Sequence, residues 1–164
     1  MTLTLILMRH AKSGWDDPTM EDFERPLSDR GRRQAPLLGA WLAKRGHRPD
    51  IALVSSAART RETWDLVAPH LPDARVEHRK NLYLAPRGTL VRAPEGQKAR
   101  TVLILAHNPG IAEAAHDLVK HRPDDGAFLR YPTAATTVIR FETPTWGEIG
   151  RGELVDFTVP SRLE

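Results

Sequence analysis

The chain has 164 residues, of which 40% are hydrophobic and 27% charged, with a formal net charge of +3. This is chain enough for one domain with a real core, expected to span residues 1–164, and its mild, mixed-sign charge argues against a dedicated nucleic-acid surface. The lack of cysteine excludes disulfides, thiol nucleophiles and thiolate metal sites.

In chain order, Leu3 to Met8 is a nearly continuous apolar run, as a strand buried on both faces requires. It is too short for a signal sequence, and no other segment reaches membrane-span length, so a cytoplasmic protein without membrane contact is expected. Ser28 is placed to cap a helix over about Asp29 to Arg45, whose apolar residues Ala35, Leu38, Trp41 and Leu42 share one face. Pro36 within it predicts a later start or a bend. Ile51 to Val54 reads as a second buried strand, followed by a helix from about Thr60 to Val67 and a weaker strand over Arg75 to His78. Thr101 to Ala106 is the third strong strand, and Ile111 to Lys120 a helix. Thr136 to Phe141 and Glu153 to Val159 alternate like two half-exposed strands, a hairpin at a sheet edge.

Strands alternating with helices predict an α/β layer fold with a mainly parallel sheet, whose ligands bind beyond the carboxyl ends of the strands. The residues just past the three strong strands are Arg9-His10, Ser55 to Arg59, and His107-Asn108. Arg9, His10, Arg59 and His107 should therefore share one crevice. Arginine forks suit phosphoryl oxygens, and a histidine with a fixed tautomer is a nucleophile. The nitrogen that does not attack should donate to a carbonyl or carboxylate. A protonated second histidine would neutralise the phosphoryl group, and helix starts after Ser56 and Pro109 would add backbone donors. Arg59, at a helix start, is expected to be an exposed pocket charge. His47, His70, His78, His116 and His121 read as structural or solvated.

The stretches Leu5-Ile-Leu-Met-Arg9-His10-Ala-Lys-Ser13, Arg25-Pro-Leu-Ser-Asp-Arg-Gly31, Ser55-Ser-Ala-Ala-Arg59-Thr-Arg-Glu-Thr63 and Ala106-His107-Asn-Pro resemble the histidine phosphatase superfamily, which includes the phosphoglycerate mutases. Among its members the small SixA-type phosphohistidine phosphatases are most alike. The resemblance covers about the first two-thirds of the chain. It implies a phosphoglycerate mutase-like, three-layer α/β/α sandwich and a phosphatase needing no cofactor. It also implies His10 as the phosphorylated nucleophile and Arg9, Arg59 and His107 as the phosphate pocket. Lys12 and Ser13 are further candidates for phosphate contact.

The chain departs from the family pattern at two places. Ala11 follows the nucleophile where many members have glycine, and Asn81-Leu-Tyr-Leu-Ala85 has no carboxylate where larger members carry a catalytic glutamate. The Trp64 to Thr101 segment is also too short for a sizeable lid. Without a strong acid a good leaving group is favoured, and imidazole, with a conjugate-acid pKa of about 6.5, leaves more readily than an alkoxide. Phosphohistidine on a protein is thus the expected substrate, with a small phosphate ester as the alternative and a non-catalytic phosphohistidine-binding module as a third reading. Asp16, Asp17 and Asp22 are candidate proton donors, against a competing reading as solvated loop carboxylates. Trp15 could rest on substrate or simply pack. No HExxH or paired-histidine spacing suggests a metal site, and a mutase would need a more enclosed site.

Overall fold

The computed structural model describes residues 1–15 and 17–164. Six strands form one sheet: β1 (Thr2–Arg9), β2 (Ile51–Ser55), β3 (Arg75–Arg79), β4 (Thr101–Ala106), β5 (Thr136–Glu142) and β6 (Glu153–Thr158), in the order β3-β2-β4-β1-β5-β6. Pairs β2–β3, β2–β4 and β1–β4 are parallel; β5 runs antiparallel to both β1 and β6. The hairpin expected at the carboxyl end thus extends the sheet, with β6 as its edge.

The apolar runs are continuous because the sheet is covered on both faces. Along β1, Leu3, Leu5 and Leu7 pack with Ile51, Leu53, Val102 and Ile104 in one core, whereas Ile6 and Met8 pack with Ala52, Val54, Leu103 and Leu105 in the other. The first core is closed by α3 (Arg87–Arg92), α4 (Gly110–Leu118) and α5 (Gly126–Arg130), the second by α1 (Asp29–Lys44) and α2 (Ala58–Val67). This is the three-layer α/β/α sandwich. Buried side chains of this size contribute about 1.5–3 kcal/mol each, so both faces hold the sheet in place.

Ser28 caps α1 by accepting from the Gly31 amide. Pro36 neither delays nor ends that helix, which continues through it to Lys44. Helix α2 begins earlier than expected, at Ala58, and Val67 leads into a short 3-10 turn over Ala68–His70. The two short helices α3 and α5 lack the length to show a periodic pattern.

The amino end of α1 is pressed against the loop that follows β1. The Lys12 carbonyl accepts from the Ser28 amide (2.9 Å) and hydroxyl (3.1 Å), and a Cβ on Gly31 would lie 2.1 Å from that oxygen. Replacing Gly31 with alanine should push the loop outward. We expect a loss of about 1–3 kcal/mol in urea unfolding and a several-fold fall in turnover; wild-type values for both would contradict the contact.

Candidate active site

The carboxyl ends of β1, β2 and β4 open into a cleft of about 410 Å³ lined by Arg9, His10, Arg59 and His107, joined by Lys12, Ser13, Asp22, Arg25 and others. The four residues expected to meet do meet, because neighbouring parallel strands bring their last residues to one edge of the sheet.

His10 follows β1 and is buried. Its Nδ1 lies 2.7 Å from the Ala11 carbonyl, which can only accept, so the proton sits on Nδ1 and the lone pair on Nε2. Ala11 is itself anchored: its amide donates to Thr63 Oγ1 (3.0 Å), and that hydroxyl donates to the Arg59 carbonyl (2.7 Å). Helix α2 thereby holds the backbone that holds the imidazole. Burial, chiefly, pushes the His10 pKa down to about 3; the Ala11 hydrogen bond opposes this, and His107, Arg59 and Arg9 add to it. The ring is neutral and nucleophilic at ordinary pH.

His107 lies 5.3 Å from His10, centroid to centroid. Its Nε2 shares a 2.7 Å hydrogen bond with Ser55 Oγ, while its Nδ1 is buried with no partner among the described residues. The expectation of a protonated ring is not met in the protein alone. Burial first, then the charge of Arg59, brings its pKa down to about 3. The positive charge of the cleft therefore resides on the arginines and Lys12 rather than on the histidines. Arg9 Nη1 donates to the Tyr131 carbonyl (3.0 Å), which also accepts from Asn108 Nδ2 (3.0 Å). Arg9 Nε and Arg59 Nε find no acceptor among the described residues, as suits groups built to meet an anion.

Arg59 differs from expectation in being only 2% exposed. It sits inside the first turn of α2 and donates to the Asp22 carbonyl (2.7 Å) and to Asp22 Oδ2 (3.0 Å). Asp22 is no freely solvated loop carboxylate. It also accepts from Arg25 Nε (3.0 Å) and from the Tyr83 hydroxyl. Partial burial would raise its pKa, but the hydrogen bonds from Tyr83, Arg25 and Arg59 outweigh that and hold it at about 2. A carboxyl so acidic stays ionised, which suits it to orient arginines rather than to donate a proton. Asp17 instead accepts from the Thr19 amide and hydroxyl and does not line this cleft. Asp16 lies outside the described residues. Ser13 accepts from Arg25 Nη1 (2.8 Å), and Lys12 lines the cleft with no ion pair among the described residues.

Arg25 and Tyr83 also belong to the site, and neither carries a local sequence signal of that role. Arg25 was legible only as part of a motif; its packing against Ser13 and Asp22 depends on how the loop after β1 folds back. Tyr83 occupies the segment noted for lacking an acid, and its ring meets His107 edge-on at 5.4 Å. Of the other histidines, His47 bonds Asp156 and His116 the Phe128 carbonyl, and none of the five lines the cleft. No group of three or more metal-ligating side chains occurs among the described residues, and none of their helices is long and apolar enough to cross a membrane.

Residues 5–83 match the sequence profile of the histidine phosphatase superfamily, branch 1. An uncharacterized protein of Mycobacterium tuberculosis is 33% identical over 162 residues, covering 93% of this chain and 99% of the relative. A solved structure from Nakamurella multipartitia, assigned as phosphohistidine phosphatase SixA, superposes with a TM-score of 0.81 at 31% identity, over 98% of this chain and 97% of that one. The chain belongs to the histidine phosphatase superfamily. A second structure with the SixA assignment, from Agrobacterium tumefaciens, gives a TM-score of 0.80 at 25% identity over 96% and 98% of the two chains. Membership in this superfamily, together with the SixA-assigned structural neighbours, supports a phosphatase working through a histidine, and the six-stranded, mainly parallel sheet flanked by helices is the family's fold.

Both site histidines affect the pH dependence of folding. Their folded pKa values are about 3, below the ordinary value of about 6.5 in an unfolded chain. Between those values the unfolded chain binds protons that the folded one refuses, so stability should fall as pH drops through 6.5 toward 3. Urea unfolding from pH 8 to 4 should show this decline, shallower by one proton in His10→Gln. Equal slopes for the two proteins would contradict the neutral, buried ring.

Proposed function

We propose that this domain dephosphorylates phosphohistidine carried on proteins, acting in the cytoplasm through a phosphoryl intermediate on His10. The observation that carries the reading is the His10 Nδ1 to Ala11 carbonyl bond, which leaves Nε2 as the attacking atom inside an arginine-lined cleft.

In the first step His10 Nε2 bonds to phosphorus as the bond from phosphorus to the substrate nitrogen breaks. The substrate ring departs as neutral imidazole when its distal nitrogen carries a proton. In the second step water attacks phosphorus, the bond to Nε2 breaks, and orthophosphate leaves with His10 restored. Arg9 and Arg59 neutralise the charge on the equatorial oxygens, with His107 donating beside them and Lys12 and Ser13 at the edge. Asp22 fixes Arg59 and Arg25 in place, and needs no proton to give because imidazole is a good leaving group. An open cleft accommodates a phosphorylated side chain on a protein surface.

The test compares a phosphohistidine peptide with a panel of sugar and nucleotide monoesters. We expect kcat/KM for the peptide to exceed the best ester by about 100-fold or more; the reverse order would make a small ester the substrate.

A further inference from the structure

Of the described side chains lining the cleft, only Trp15 and Leu84 are apolar. Both are unusually exposed for their type, Trp15 at 63% and Leu84 at 53%, whereas His10, Arg59 and His107 behind them are buried. The cleft therefore has a buried, cationic floor for the phosphoryl group and, at its exposed rim, two apolar side chains beside Lys12, where whatever is attached to the phosphoryl group can rest.

Neither rim residue is left to drift. The Arg25 guanidinium lies 3.6 Å from the centroid of the Trp15 ring. Arg25 is in turn fixed by Asp22 and by Ser13 Oγ. The indole is thus attached to the same Asp22 network that orients Arg59. Leu84 has φ +49°, in the left-handed region that leucine avoids. It combines an unfavourable backbone conformation with an exposed apolar side chain, and such strain persists where the surroundings impose it and collects at working sites.

Building on the reading above, we propose that Trp15 and Leu84 are specificity-determining residues that hold a planar aromatic leaving group, the imidazole of phosphohistidine being the natural case. A rigid indole offers a flat surface for a flat ring, and arginine stacking on the indole keeps it oriented. Leu84 supplies an aliphatic contact without hydrogen-bond capacity. A sugar's hydroxyls, placed against these two side chains, would lose water without gaining partners.

The experiment measures kcat/KM for a phosphohistidine peptide and p-nitrophenyl phosphate, both with planar aromatic leaving groups, and for acetyl phosphate, whose acetate leaving group has no ring. Trp15→Ala and Leu84→Gly should each lower the planar-to-acetyl ratio about 10-fold, with Trp15→Phe restoring most of it. Leu84→Gly keeps the fold safe, because glycine accepts a positive φ. The inhibition constant of inorganic phosphate separates rim from floor. If Trp15→Ala shifts it as much as it shifts the planar substrates, Trp15 acts only through Arg25 and the proposal is wrong. An unchanged ratio in both variants is equally fatal. If the wild-type protein ignores the phosphohistidine peptide but hydrolyses the aryl ester in a Trp15-dependent way, the phosphohistidine reading fails and the planar rim stands. Failure to turn over any of the three substrates overturns both.

Discussion

Replacing His10 with alanine should reduce kcat by at least about 10⁴-fold on every substrate the protein accepts, because it removes the attacking atom rather than a supporting contact. The fold should survive. The ring is neutral, makes one hydrogen bond to Ala11, and is packed beside His107 and two arginines whose charges disfavour its protonation. Losing that bond costs about 1 kcal/mol, a shift of a few degrees in melting temperature for a chain of this size. A folded His10→Ala protein that still hydrolyses substrate at a tenth of the wild-type rate would mean that another group attacks phosphorus.

The second large effect should come from Arg59. Its guanidinium is the most buried cation of the cleft, and it is oriented by both the carbonyl and the carboxylate of Asp22. Arg59→Ala removes charge from the transition state and leaves Asp22 with Arg25 and Tyr83 as its remaining partners. We expect kcat to fall by about 10²–10³-fold. Because the side chain is buried, the variant should also lose about 1–3 kcal/mol of stability. Arg59→Lys separates the two effects. It keeps a charge but not the two-pronged contact to Asp22, so stability should recover further than rate. Equal recovery of both would reduce Arg59 to a point charge.

How much of this was legible in the sequence follows from range. The strands could be read because burial on both faces requires continuous apolar runs, and the cleft because parallel strands deliver their last residues to one edge. Arg9 ends β1, His10 and His107 come directly after β1 and β4, and Arg59 lies shortly past β2 in the first turn of α2. What is not legible depends on contacts between segments distant in the chain. Asp22 looked like one more loop carboxylate until Arg25, Arg59 and Tyr83 were seen to converge on it. Tyr83 sits in a segment with no periodic signal, and nothing local to it indicates that its hydroxyl reaches Asp22. Arg59 was expected at the surface because a helix start is usually exposed; here the loop after β1 folds over it. The charge state of His107 could not be read either, since it is set by burial and by Arg59 across the cleft.

These contacts also explain why the site tolerates Ala11 after His10. The methyl is fully buried, and the residue contributes through its backbone, the amide to Thr63 and the carbonyl to His10. A side chain of one carbon leaves both groups in place.

The central claim is that the phosphoryl group passes through His10 Nε2. The protein should be mixed with a radiolabelled phosphoramidate donor, quenched in base within the first turnover, and digested to locate the label. The account predicts an acid-labile, base-stable adduct on the peptide containing His10, attached at Nε2 and not at Nδ1, and none in His10→Ala. Label on Ser13, on an aspartate, or on His107 in the wild-type protein would contradict it.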